Sequence, residues 1–173
     1  MKIVQKNIIN SGADVIVISA NKALLAGSGV SGAVHKAAGP ALEAYVKPLA
    51  PVLPGDAIIS PAFNLPAKYV VHAVCPHFYD GLRGEPQQLA AAFNRAVELC
   101  NGCDDVDSVA FMAMGMGVCN WPLAEAAAIA AQELAKSRYQ TTHLCLIEPK
   151  LVAGYQRAFD RQCEDFNLSG ECD

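Results

Sequence analysis

The amino-acid sequence predicts an α/β sandwich with a largely parallel central sheet. Short apolar runs such as Val15–Ile18, rich in β-branched residues, alternate along the chain with stretches of helical spacing. Two glycine-rich segments, Gly27–Gly32 and Gly115–Gly117, each lie between a predicted strand and a predicted helix. Ligands of such sheets bind beyond the carboxyl ends of the strands, so these two segments predict the position of a site.

Six strands are predicted from apolar runs that are bounded by Gly, Pro, Asn or Asp. They are Lys2–Gln5, Asp14–Ser19, Gly55–Ser60, Lys68–Cys75, Ser108–Met114 and Thr142–Ile147.

Five helices are predicted from apolar residues at helical spacing. In the first, Val30, Val34, Ala37 and Ala38 form the apolar stripe, with His35 and Lys36 outside it, and Gly39-Pro40 ends it. The others are Ala41–Val46, Gln87–Cys100, a stretch of strong helix formers that Pro122 begins and Ser137 ends, and Glu148 to about Arg161.

Composition limits the classes of protein that this chain can be. It has 173 residues, 53% of them hydrophobic and 17% charged, which predicts a single domain over residues 1–173 with a polar tail over 162–173. The net charge is −4 and no basic block is present in the sequence, so nucleic acid is disfavoured as a partner. No apolar run reaches the ~18 residues of a membrane helix. Without a visible signal peptide, we expect a cytoplasmic protein with no membrane partner.

The first glycine segment predicts a phosphate site. A strand, a glycine-rich turn and a helix together present backbone N–H groups and a positive helix end to an anion. The second segment, Gly115–Asn120, could hold the other side of a diphosphate. The first segment also matches Gly-x-Gly-x-x-Gly, but its distance from the preceding strand does not suit a dehydrogenase, and a plain flexible loop is the other alternative. Neither segment contains Gly-Lys-Ser or Gly-Lys-Thr, so triphosphate hydrolysis with magnesium is not supported.

Single polar side chains allow two interpretations each. Asn21 ends the second strand, where it would either reach a ligand or cap its own loop. His72 lies in an apolar strand and is expected to be a core histidine bonded to the backbone rather than a catalyst. His77 could be a loop residue with no functional role.

The seven cysteines are expected to be reduced thiols. Cys75 and Cys119 lie near strand ends, yet no partnering His–Asp arrangement is visible, so they are interpreted as structural thiols. Cys100-x-x-Cys103 lacks a second pair at metal spacing. Neither a metal site nor a cofactor is therefore predicted.

Several motifs in order resemble the macro domain, an ADP-ribose-binding family, over roughly Lys2–Lys150. They are the strand Asp14–Asn21, the segment Leu24–Gly39, the pair Gly55–Ala57 with Leu65–His72, and the segment Gly117–Pro122. The resemblance implies a three-layer α/β/α sandwich with a mixed central sheet and an ADP-ribose cleft. It further implies that Asn7-Ile8 meets the adenine, that Asn21 meets the distal ribose, and that the glycine segments hold the diphosphate. The ligand-binding residues expected on this basis are Asn7, Ile8, Ala20, Asn21, Gly27, Ser28, Gly29, Val30, Ser31, Gly115, Met116, Gly117, Val118, Cys119 and Asn120.

The sequence departs from the family pattern at positions that bear on catalysis. Ser31 stands where many hydrolysing members carry an Asp that positions or activates water, and a serine is no base at neutral pH. Ile18 replaces the first Asn of the strand motif, Cys119 an aromatic residue and Asn120 a glycine. Three functions stay open: hydrolysis of ADP-ribosyl esters such as O-acetyl-ADP-ribose, with Asn21 as the candidate catalytic residue; non-catalytic reading of free or protein-linked ADP-ribose; and binding of a different nucleotide.

Overall fold

One six-stranded sheet with helices on both faces forms the fold in a computed structural model, which describes residues 1–169 and the side chains of residues 1–162. The strands are β1 (Lys2–Gln5), β2 (Val15–Ala20), β3 (Ala57–Pro61), β4 (Tyr69–Val74), β5 (Ser108–Met112) and β6 (Thr141–Leu146). The helices are α1 (Gly29–Ala38), α2 (Pro40–Val46), α3 (Glu85–Asn101), α4 (Leu123–Leu134) and α5 (Pro149–Ser169). Short 3-10 helices cover Ile8–Asn10 and Lys47–Leu49.

The sheet is mixed but largely parallel, as the sequence predicted. Its strand order is β1-β6-β5-β2-β4-β3, and only β3, at the edge, runs antiparallel to its neighbour. β2 lies in the middle, where Val17 pairs with Val71 of β4 and Phe111 of β5. The five parallel strands therefore end at one common edge.

Two apolar cores lie on opposite faces of the sheet because successive residues of a strand point to opposite sides. Val15 and Val17 of β2 belong to the core beneath α3, α4 and α5. Ile16 and Ile18 belong to the core beneath α1 and α2. A strand buried on both faces reads as a continuous apolar run, which is why β2 was recognisable in the sequence. The predicted three-layer sandwich is thus confirmed.

The first helix differs from its prediction in two respects. α1 begins at Gly29, so Gly32 lies inside the helix and the turn before it is shorter than the glycine segment. Its buried residues are Ser31, Val34, His35 and Ala38, whereas Ala37 is exposed. The expectation that His35 lies off the buried stripe was wrong. α1 is rotated so that the His35 ring packs edge-on against that of His72 in β4, with ring centroids 6.0 Å apart.

Most other boundaries agree with prediction to within one or two residues. The exceptions are α4, which ends at Leu134 rather than at Ser137, and α5, which continues past Arg161 to Ser169 and so into the predicted polar tail. The rest of that tail, residues 170–173, lies outside the described residues. Among residues 1–169, no helix is both long and apolar enough to cross a membrane.

Candidate functional site

A cleft of about 800 Å³ follows the carboxyl ends of the parallel strands. Residues that end or follow β1, β6, β5, β2 and β4 line it in that spatial order: Lys6 and Ile8, Leu146 and Ile147, Met112 and Ala113, Ala20 and Asn21, Val74 and Cys75. Neighbouring strands lie ~4.8 Å apart, so four intervals make a cleft about 19 Å long. A long, narrow cleft of this kind suits an extended ligand.

Loop one, Leu24–Ser28, joins β2 to α1 and is fixed largely by Asn21. The Asn21 carboxamide donates through Nδ2 to the Leu25 carbonyl at 2.7 Å, and its Oδ1 accepts from the Leu25 amide at 3.2 Å. Beyond this point the chain passes close over α1: a Cβ on Gly32 would lie 2.0 Å from the Gly27 carbonyl oxygen. Only glycine fits at position 32, which explains one glycine of the motif. The loop-capping interpretation of Asn21 is correct, and Asn21 lines the cleft as well.

The amino end of α1 opens into the cleft. The N-cap residue Ser28 makes no side-chain capping bond within the described part of the chain, and first-turn N–H groups have no acceptor inside their own helix. Ser31 is only 8% exposed, lines the cleft, and its Oγ has no hydrogen-bond partner among the described residues. Backbone N–H groups, a helix dipole and one buried hydroxyl thus converge where an anion could be held.

Loop two, Ala113–Trp121, follows β5, the neighbour of β2, and is fixed by an aromatic side chain. Trp121 donates from Nε1 to the Pro76 carbonyl at 2.8 Å and packs against Phe78, with ring centroids 5.0 Å apart. Its backbone amide donates to the Gly115 carbonyl at 3.2 Å. Gly115 has a φ of +88°, and a Cβ there would lie 2.8 Å from Trp121 Cδ1. The glycine therefore allows the indole to close the loop beneath the cleft.

Three cysteines line the cleft, and two of them, Cys75 and Cys119, are the thiols that the sequence singled out; both are poor nucleophiles. Burial raises the pKa of the Cys75 thiol to about 12, and burial also raises the pKa of the Cys119 thiol. Both are therefore protonated at neutral pH, in agreement with their interpretation as structural thiols. The five described cysteines are unpaired with another cysteine, as expected for reduced thiols: Cys75, Cys100, Cys103, Cys119 and Cys145. The side chains of Cys163 and Cys172 lie outside the described residues.

His72 is a core residue, as predicted, but its partner differs. It is fully buried, and its Nε2 lies 3.0 Å from Ser60 Oγ rather than bonding the backbone. Burial, and next the charge of His35, lower the pKa of His72 to about 3, so it stays neutral. His77, by contrast, is exposed and lines the cleft at the end of β4.

Of the residues expected to bind ligand, all but Asn7 and Asn120 line the cleft. Asn7 caps the first 3-10 helix, where its Oδ1 accepts from the Ile9 amide at 3.0 Å. Asn120 takes a left-handed φ of +54°, and its amide donates to the Gly117 carbonyl at 3.1 Å within loop two. Ligand contact by any of these residues stays a prediction.

Sequence reasoning missed residues at both ends of the cleft. At the β1 and β6 end these are Lys6, Ile147, Glu148 and Leu151, and at the β4 end Tyr79, Arg83 and Glu85. Lys6 and Ile147 could have been found, because each follows the carboxyl end of a parallel strand. Glu85 gave no such signal: its buried carboxylate accepts from the amides of Tyr79 and Arg83 at 3.2 and 2.7 Å and so shapes the loop after β4.

Comparison of the sequence with known proteins finds relatives that share most of its length. A "Macro domain-containing protein" of Lactiplantibacillus plantarum is 40% identical over 145 residues, which is 83% of each chain. An "O-acetyl-ADP-ribose deacetylase" of Cronobacter sakazakii is 41% identical over 147 residues, 83% of this chain and 80% of that protein.

Solved structures extend the likeness to the whole fold. The Oceanobacillus iheyensis macrodomain with ADP is 30% identical and superposes with a TM-score of 0.86 over 94% of this chain and 91% of that one. The Trypanosoma brucei macrodomain in complex with ADP-ribose is 25% identical, with a TM-score of 0.80 over 90% of this chain and 67% of that one. The family model described as "Macro domain" matches residues 17–130. This chain therefore belongs to the macro domain family.

Proposed function

We propose that this protein binds ADP-ribose, or a close derivative, in the cleft along the carboxyl ends of its parallel strands. The observation that carries the proposal is the pair of glycine loops: loop one leads into the amino end of α1, which has no side-chain cap among the described residues, and loop two lines the same cleft. Such an arrangement suits a diphosphate without a metal or a cluster of basic side chains. Relatives named O-acetyl-ADP-ribose deacetylase, and related structures holding ADP or ADP-ribose, support the same ligand class.

The chemistry along the cleft suggests the direction of the ligand. Ile8, Ile147 and Leu151 give the β1 and β6 end apolar surface that suits the faces of an adenine ring. The diphosphate would then lie between the loops, at the ends of β2 and β5, and the distal ribose near Asn21. After its two bonds to Leu25, the Asn21 carboxamide keeps one N–H and one oxygen lone pair for a ribose hydroxyl.

Hydrolysis of ADP-ribosyl esters is the second candidate function, and the names of several relatives favour it. Water would attack the ester carbonyl, and loop amides would stabilise the charge that develops on its oxygen. At the glycine loops, Ser31 is a neutral hydroxyl and the thiols of Cys75 and Cys119 are protonated, so these three side chains offer this step little help as a base. We therefore expect binding to be strong and turnover slow. If turnover is absent altogether, the protein would act as a non-catalytic reader of ADP-ribosylated protein in the cytoplasm.

Isothermal titration with ADP-ribose, beside AMP and ADP, tests the proposal. We expect micromolar binding of ADP-ribose and weaker binding of AMP, which lacks the second phosphate and the distal ribose. The same protein is then incubated with O-acetyl-ADP-ribose and the release of acetate is followed by chromatography. No heat with ADP-ribose would overturn the proposed ligand. Binding without acetate release would leave the reader function.

A further inference from the structure

Loop one receives a side-chain contact from a helix that does not line the cleft. Glu43 of α2 accepts a hydrogen bond at Oε2 from the Ala26 amide, at 3.1 Å. Ala26 itself does not line the cleft, whereas every residue from Gly27 to Ser31 does. The contact therefore lies one residue before the part of the chain that lines the cleft.

His35 also lies near the Glu43 carboxylate, but it does not compete with the Ala26 amide for a hydrogen bond to that carboxylate. His35 Nδ1 lies 3.9 Å from the same oxygen, which is longer than a hydrogen bond. Burial lowers the pKa of His35, although the Glu43 charge opposes this, so the imidazole is neutral at pH 7. A neutral imidazole beyond hydrogen-bond distance leaves the carboxylate oriented on Ala26.

We propose that Glu43 is a positioning residue for the anion-binding loop, acting through the Ala26 amide. Asn21 fixes the loop at Leu25, and Gly32 allows the close approach of Gly27 to α1. Neither residue accepts a hydrogen bond from the peptide N–H of Ala26, which lies between Leu25 and Gly27. Glu43 holds that peptide, and the orientation of the next peptide units determines which N–H groups face the cleft. The inference rests on the proposed function, since its effect is read through nucleotide binding.

Glu43 should influence an anion in two opposite ways. Its hydrogen bond orders the loop and favours binding, whereas its negative charge, behind the loop, disfavours an anion. The Glu43 side chain is 41% exposed, so solvent screens the charge and the hydrogen bond dominates. Glu43→Gln keeps an oxygen acceptor and removes the charge, while Glu43→Ala removes both. The two variants therefore separate the acceptor from the charge.

The test measures amide hydrogen exchange at Ala26 by NMR, and ADP-ribose affinity by calorimetry, in the full chain and its variants. For Glu43→Ala we expect Ala26 exchange at least tenfold faster and affinity about tenfold weaker. For Glu43→Gln we expect both values within threefold of wild type, with affinity equal or higher. Asp107→Ala removes an exposed carboxylate from the opposite edge of the sheet and serves as the charge-matched control. Thermal unfolding of each variant checks that it is folded.

Two results would overturn the inference. One is an unchanged exchange rate and affinity in Glu43→Ala; the other is a Glu43→Gln variant that is as impaired as Glu43→Ala. Failure of the proposed function is a separate outcome, because wild-type protein would then give no heat with ADP-ribose. In that case the variants are titrated with inorganic pyrophosphate, which tests loop one without the nucleoside. Equal affinity of wild type and Glu43→Ala for pyrophosphate would also overturn the positioning role, as would the absence of any pyrophosphate binding.

Discussion

Loop one and loop two present glycine backbone to the same cleft, yet different interactions hold them. Loop one is fixed by hydrogen bonds between its backbone and the side chains of Asn21 and Glu43, and by a close backbone contact at Gly32. Loop two closes on the indole of Trp121, which packs on Phe78 and donates to Pro76. Loop one should therefore respond to substitutions of single polar atoms, whereas loop two should respond to changes in core packing.

The largest effect is expected from Gly32→Ala in α1. Its Cβ would lie 2.0 Å from the Gly27 carbonyl, so loop one must move away from α1. We expect ADP-ribose affinity to fall by about a hundredfold, equivalent to ~2.7 kcal/mol. Gly102→Ala is the control, because a Cβ at the end of α3 meets ordinary contacts at 3.5 Å. Wild-type affinity in Gly32→Ala would show that the position of loop one does not matter for binding.

Trp121→Phe should disturb loop two, and so lower both the free energy of unfolding and the affinity for ADP-ribose. The change removes the donor to the buried Pro76 carbonyl, which costs ~1–3 kcal/mol, and reduces packing on Phe78. Urea unfolding measures the loss. Tyr139→Phe removes the comparable hydrogen bonds to the carbonyls of Cys100 and Cys103, far from the cleft. It should lower stability but leave ADP-ribose affinity unchanged. Equal affinity in both variants would refute the role of Trp121 in shaping loop two.

Acid should destabilise the fold on the side of loop one, where His35 and His72 are buried. The pKa of His72 is about 3 in the folded state against 6.5 for the ordinary side chain, so the unfolded chain binds more protons below pH 6.5. The free energy of unfolding should fall by ~1.4 kcal/mol per pH unit for this group as pH drops from 6 to 5. His35, whose pKa is also lowered, adds to the slope. Urea titrations of wild type and His72→Gln should show the flatter slope in the variant; identical slopes would contradict the assignment.

Charge at the junction of loop one and α1 is tested by Gly29→Glu against Gly29→Gln. Gly29 has a φ of +66°, so both side chains strain the backbone alike and the pair differs only in charge. We expect the Glu variant to bind ADP-ribose about tenfold more weakly than the Gln variant, because a carboxylate would lie beside the diphosphate. Calorimetry on the two folded variants measures the difference. Equal affinities would place the anion elsewhere.

Ser31→Asp should have the smallest effect. A carboxylate there could accept a proton from water, so we expect ester hydrolysis to rise by about fivefold, less than the 10²–10⁴ of an evolved base. The same charge should weaken ADP-ribose binding slightly. Ser31→Asn controls for size, and acetate release from O-acetyl-ADP-ribose is the measurement. A variant that binds but is as slow as Ser31→Asn would show that Ser31 is not what limits turnover.

The sequence predicted the strands well because each is a short apolar run between turn residues, and a strand such as β2 is buried on both faces. It also predicted where the cleft lies, since residues after parallel strands must meet at one edge. Features that depend on how helices pack were not predictable. The rotation of α1 buried His35, and the contact between Glu43 and Ala26 needs α2 to lie beside loop one. Glu85 shapes its loop through backbone amides, which leave no pattern in the sequence.

The central claim is that both loops bind one diphosphate between them. An NMR titration of labelled protein with ADP-ribose tests it directly through two pairs of amide signals. One pair is Gly27 in loop one and Gly29 at the start of α1, and the other is Gly115 and Gly117 in loop two. Both pairs should shift and should saturate along the same binding curve. Shifts confined to one loop, or no shift in either at millimolar ADP-ribose, would contradict the claim.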